Sequence, residues 1–137
     1  MKVLIDTNIM IDAITNRDGR SGFSAIVIDL CAKKQIDGYV AFHSISNMYY
    51  ILRKHYSDEE RRIILKRYCE ILAVVEAGND VVDEAVNNIG IYDFEDALQH
   101  ACAKAAGANY IITRNTKDYR NSEIKAISPE ELLKLMS

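Results

Sequence analysis

Five short apolar runs punctuate this chain, and longer stretches with helical spacing of apolar residues separate them. The runs are VLI (3–5), YVAF (39–42), LAVV (72–75), YII (110–112) and the weaker IKAI (124–127), whose length and β-branched content suit buried strands. Between them, FSAIVIDLCAKKQ (23–35) reads as a helix stopped by Asp37-Gly38. SISNMYYIL (44–52) reads as another. Ser57 opens SDEERRIILKRYCEIL at capping-box spacing to Glu60, and Ser128-Pro129-Glu130-Glu131 opens the last helix in the same way, with proline at its first position. DFEDALQHACAKAAG (93–107) is a helix closed by Gly107, with Phe94, Ala97, Leu98, Ala101, Cys102 and Ala105 on its packed face. The one loose stretch is TNRDGRSG (15–22).

This alternation predicts a single α/β domain over residues 1–137, built on a central, mostly parallel sheet of about five strands with helices on both faces. Ligands of such sheets bind outside the carboxyl ends of the strands. The residues just after VLI and YII are therefore expected at one rim.

Composition narrows the class without naming a chemistry. A chain of 137 residues buries roughly two-thirds of its unfolded surface and needs no staples. Its 49% hydrophobic and 27% charged residues are those of a soluble globular protein. Cys31, Cys69 and Cys102 are odd in number and far apart, which argues against a disulfide framework or zinc site and for small buried apolar residues. Asp6, Asn8 and Asp12 interrupt the apolar N-terminus, so neither a signal peptide nor a membrane span is expected, and the cytoplasm is the expected location. A net charge of -3 excludes a protein that coats nucleic acid by bulk attraction. It leaves open an enzyme whose acidic cluster is neutralised by bound cations.

The candidate chemistry lies where apolar runs turn polar. VLI ends on Asp6, Thr7 and Asn8; YII ends on Thr113, Arg114 and Asn115, with Asp118 three residues on. On the 93–107 helix, Asp93, Asp96 and His100 form a stripe that Glu95 points away from. Taken singly, these acids also suit helix caps and turns. Several carboxylates gathered at one rim would repel one another unless a cation lay between them. Oxygen ligands point to Mg²⁺ or Mn²⁺. Thr7, Thr113 and Asn115 would orient those carboxylates, Arg114 would face a phosphate or solvent, and His100 would be a ligand or a boundary residue of the core. The sequence carries no Gly-rich phosphate loop, no GxSxG and no Cys–His dyad that spacing supports.

In their order and separation, LIDTNIMIDAI, DFEDALQHACA and YIITRNTKDY resemble the PIN domain, a nuclease domain common in bacterial toxin–antitoxin pairs of the VapBC type. The resemblance implies a Rossmann-like three-layer sandwich and metal-dependent cleavage of single-stranded RNA. It makes Asp6, Asp96 and Asp118 the catalytic metal ligands for one or two Mg²⁺ or Mn²⁺ ions, with Asp93 as a helper. Thr7, Thr113 and Asn115 match its supporting positions. It also implies a homodimer and a small antitoxin protein as partner. One position departs: many members carry a glutamate in the helix after the second strand, where this chain has Asn47. An amide can coordinate through its carbonyl but cannot ionise. The alternative is thus a catalytically weak or inactive module that binds metal, nucleic acid or a protein. Substrate contacts are sought at Arg17, Arg20 and Arg114, and in YYILRKHY at Arg53, Lys54 and the tyrosines, with Tyr49 and Tyr50 read otherwise as core or interface residues.

Overall fold

Strand β1 (Lys2–Ile5) is three-quarters buried and sends alternate side chains to opposite faces: Val3 and Ile5 enter one apolar cluster, Leu4 the other. A strand covered on both faces belongs at the centre of a parallel sheet. The computed structural model, which describes residues 1–15 and 21–137, places it there. The sheet has five strands in the order β3-β2-β1-β4-β5, with β2 Asp37–Ala41, β3 Ala73–Val75, β4 Tyr110–Ile112 and β5 Lys125–Ile127. Every pairing is parallel, so the sheet goes beyond the mostly parallel one expected.

Seven α-helices flank the sheet among the described residues: α1 Thr7–Thr15, α2 Ser21–Ala32, α3 Phe42–Ile51, α4 Asp58–Ile71, α5 Asn79–Asn87, α6 Phe94–Ala106 and α7 Pro129–Met136. Val3, Ile5 and Ile112 pack with residues of α1, α2, α3, α4 and α7, while Leu4 and Ile111 pack with α5 and α6. Two cores back to back give three layers. Both expected capping boxes form, at Ser57–Glu60 and Ser128–Glu131, and Gly107 closes α6 in the left-handed region at φ 69°. Among the described residues no helix is long and apolar enough to cross a membrane.

Three local expectations are corrected. Phe42 leaves the second strand to open α3. Cys69 is exposed on α4 while Cys31 and Cys102 are buried, and all three are free. Asp37-Gly38 does not stop α2, which ends at Ala32 and turns at Lys34, a positive-φ residue (59°). Gly38 lies inside β2 instead, where an added Cβ would sit 2.5 Å from Leu72 Cδ2 and 2.6 Å from Cys31 Sγ. Packing, not turn geometry, requires glycine there. Gly38→Ala is expected to cost about 1–3 kcal/mol, read as a lower urea midpoint at unchanged slope; an unchanged midpoint would contradict it.

Order 3-2-1-4-5 reverses direction between β1 and β4. At such a switch point the loops after two neighbouring strands diverge and leave a crevice at their carboxyl ends. Asp6 and Thr113 are the residues that follow those strands.

Candidate metal-binding active site

Asp6 stands at the centre of the crevice because its backbone still belongs to the sheet: its N–H donates to Ile112 O at 2.9 Å. Its carboxylate accepts from the Thr7 N–H (2.7 Å) and the Thr113 hydroxyl (2.8 Å), with longer contacts to the Tyr119 hydroxyl and the Asn8 amide at 3.4 Å each. Asn8 also accepts from the Arg114 N–H, which ties the β1 and β4 loops together. Only 5% exposed, the Asp6 carboxyl has its pKa raised to about 6, first by burial and then by the charge of Glu95, against the pull of its hydrogen bonds.

The first turn of α6 supplies the facing carboxylates. Asp93 caps the helix, its Oδ1 accepting from the Asp96 N–H at 3.1 Å. The Asp96 carboxylate accepts from the Tyr119 hydroxyl at 3.2 Å, so one phenol touches both Asp6 and Asp96. Burial, and then the charges of Asp6, Glu95 and Asp93, push the Asp96 carboxyl up to about 7. Among the described residues, oxygens of Asp93, Glu95 and Asp96 lie within 4.8 Å of one another.

Glu95 does not point away as its helical position suggested. It takes part in a polar network: its Oε1 accepts from Gln99 Nε2 at 3.1 Å and meets His43 Nε2 at the same distance. Gln99 also reaches Ser44 Oγ (2.8 Å), which accepts from the Thr7 hydroxyl at 2.8 Å. Burial works against a charge on His43, but the adjacent Cys102 thiol and the Glu95 carboxylate outweigh it and hold the imidazole up to about 9. Burial also works against the Glu95 charge, and His43 with Gln99 holds this carboxyl below its usual range. A cation at His43 therefore keeps an anion at Glu95.

An open cleft of about 400 Å³ runs over these groups, lined among others by Asp6, Asn47, Glu95, Asp96 and Asn115. Asn47 thus sits where the resemblance expects a glutamate to act, and Glu95 faces the same space from α6. The Thr113 hydroxyl donates to Asp6 as expected of an orienting group, whereas the Thr7 hydroxyl donates to Ser44 and only the Thr7 backbone N–H reaches Asp6. Asp118 is exposed on a short 3₁₀ turn (Thr116–Tyr119), outside the residues lining the cleft. His100 is buried against Asn88 and lines a separate hollow with Glu84 and Glu123, so the Asp93–Asp96–His100 stripe does not act as one surface. Arg114 holds buried Asp12 through two 2.8 Å bonds from one nitrogen. Arg17 and Arg20 lie outside the described residues. Sequence reasoning did not find Tyr119, Gln99, His43 or Ser44; only Gln99, one turn beyond Glu95, left a trace in the spacing.

The donor set suits a hard divalent cation: three carboxylates and the Asn47 amide line one cleft, with the Asp6 and Asp96 carboxyls raised first by burial and then by neighbouring negative charge. A family model described as "PIN domain" matches residues 2–117. The chain belongs to the PIN domain family. Among curated proteins, none matches the sequence significantly. Solved structures that share this PIN fold include VapBC2 from Rickettsia felis bound to a promoter DNA fragment (TM-score 0.73, 17% identity, covering 93% of this chain and 98% of that one). A toxin–antitoxin complex from Klebsiella pneumoniae is similar (0.71, 20%, 93% and 97%). So is Mycobacterium tuberculosis VapC20, a sarcin-ricin loop cleaving toxin (0.62, 16%, 80% and 86%). At these identities the likeness speaks for the PIN fold alone.

Proposed function

We propose that this PIN domain is a metal-dependent endoribonuclease that hydrolyses phosphodiester bonds in single-stranded RNA, acting as the toxin of a toxin–antitoxin pair. The observation that carries the reading is the convergence of Asp6, Glu95 and Asp96 on one open cleft at the switch point of the sheet. Asp6 and Asp96 are the central ligands for Mg²⁺ or Mn²⁺, Asp118 serves from the exposed turn that carries Tyr119, and Asp93 helps by fixing the Asp96 backbone. A bound divalent ion would lower the pKa of a coordinated water and offset charge on the phosphate. The chain's own residues supply the geometry. Thr113 and the Thr7 N–H hold the Asp6 carboxylate in place, and Tyr119 sets the spacing between Asp6 and Asp96. His43 and Gln99 keep Glu95 ionised beside them.

The solved complexes with antitoxins support a small antitoxin as partner, and an exposed apolar surface supports a homodimer. Val82 and Val86 stand one turn apart on α5, with Ile89 and Tyr92 almost wholly exposed beyond it. An Ile89→Asp variant is expected to shift the protein from dimer to monomer in sedimentation, without unfolding it. The cytoplasm is the proposed location.

The decisive test is cleavage of a panel of single-stranded RNAs with Mn²⁺ or Mg²⁺, beside EDTA and Asp6→Asn controls. Cutting that disappears in both controls supports the reading. Silence throughout favours the second reading, a binding module, which Asn47 in the cleft would explain; Asn47→Glu then tests whether a missing carboxylate is the defect.

A further inference from the structure

A second groove, of about 650 Å³, opens between the end of α1 and the end of α3, away from the carboxylates. Ile11 and Ile51 line both this groove and the acidic cleft, so the two adjoin at these side chains. Its floor is apolar, but its wall carries Tyr50, Arg53, Lys54 and His55, all exposed. No described residue that lines it is acidic, in a chain whose net charge is -3. The Arg53 guanidinium lies 3.6 Å from the Tyr50 ring centre and donates to Tyr50 O at 2.8 Å, which holds two flat groups in one stack. Tyr50 is 63% exposed and therefore not a core residue, whereas Tyr49 is half-buried, hydrogen-bonded to Asp58 and covered by Arg61.

We propose that this groove is the track along which single-stranded RNA leaves the acidic cleft, with the Tyr50–Arg53 stack as a platform for a base and Lys54 and His55 as phosphate contacts. The inference rests on the ribonuclease reading and names where its substrate lies. Three features favour RNA over a peptide. The charge is of one sign and local, matching a polyanion. Exposed flat groups suit stacking, which accepts any base. The groove also borders the cleft that gathers Asp6, Glu95 and Asp96. From the first residue of α1 to Thr15 the rise is roughly 12 Å, a span of about two nucleotides beyond the reacting phosphate.

Binding measured without cutting tests the track apart from catalysis. A fluorescein-labelled 12-nucleotide RNA without secondary structure would be titrated in EDTA with the native chain, Tyr50→Ala, Tyr50→Trp, the Arg53→Ala/Lys54→Ala double variant and Arg62→Ala on α4, whose side chain pairs with Asp58 and does not line the groove. Expected are losses of about fivefold or more for Tyr50→Ala and tenfold or more for the double variant, retention for Tyr50→Trp and Arg62→Ala, and a shallower salt dependence for the double variant. Unchanged melting temperatures keep misfolding out of the comparison. Native-like binding by the groove variants would overturn the track, and so would displacement of the RNA by a poly-glutamate peptide of equal charge at equal concentration. Asp96→Asn is expected to bind RNA normally and not cut it; loss of cutting in every protein with binding intact would sink the nuclease reading and leave the track standing.

Discussion

Asp6→Asn is expected to reduce RNA cleavage by on the order of 10³-fold and, at the same time, to make the metal-free protein harder to unfold at pH 8. The second effect follows from the first role. Burial raises the folded-state pKa of Asp6 from 3.8 to about 6, so folding favours its protonated form. The stability this group contributes is complete below about pH 4 and is lost as pH rises through 6. Asp96, raised to about 7, acts in the same direction. An asparagine at position 6 resembles the protonated carboxyl in shape and has no charge to desolvate. Raising a carboxyl pKa by one costs the charged form about 1.4 kcal/mol, so the expected gain is about 1–3 kcal/mol after allowance for a less ideal hydrogen-bond set. Millimolar Mn²⁺ should raise the melting temperature of the native chain and leave the variant unmoved, because a ligand of the folded state alone adds stability by mass action. Melting scans from pH 4 to 9 with and without Mn²⁺ read all three effects. A variant that is less stable than the native chain at pH 8 would refute this account of the cleft.

Glu95→Gln carries the next largest expected effect: a loss of about 10²-fold in cleavage and weaker Mn²⁺ binding, with the fold intact. The residue shares the cleft with Asn47, so it provides from α6 the negative charge that position 47 lacks. Its removal also changes the pH response. His43, held up to about 9, contributes stability that is complete below about pH 6.5 and lost as pH rises through 9. Without Glu95 one of the groups holding that proton is gone, and the loss between pH 7 and 9 should shrink. Asp118→Asn gives the comparison: from its exposed turn, outside the lining of the cleft, it should lower cleavage by about tenfold. If Asp118→Asn proved the more damaging of the two, Glu95 would be a support for His43 rather than part of the reacting cluster.

Much of the architecture was legible because its causes are local. A short β-branched apolar run bounded by polar residues suits a covered strand, and Ser-x-x-Glu before a helix satisfies the same N–H groups in any context. The carboxylate at position 6 could be placed at the rim for the same reason: it is the first polar residue after a buried strand. Asp93 was legible as a cap and proved to be one.

What the tertiary structure alone decided was which groups face the cleft and in what state. Glu95 and Asp96 are neighbours on one turn, and helical spacing separates them by about 100°. Only the placement of the α6 N-terminus over the sheet rim, against His43 from α3, turns both inward. Tyr119 carries no mark in the sequence as the bridge between Asp6 and Asp96, since that contact spans 113 residues on one side and 23 on the other. Gly38 has the sequence context of a helix stop, yet it is Cys31 on the preceding helix and Leu72, distant along the chain, that leave no room for a methyl. Strands, caps and the acidic motif follow from short-range chemistry written along the chain; the raised carboxyls and the held His43 cation arise from groups distant in sequence and desolvated together, and the groove beside α1 arises where the ends of two helices meet.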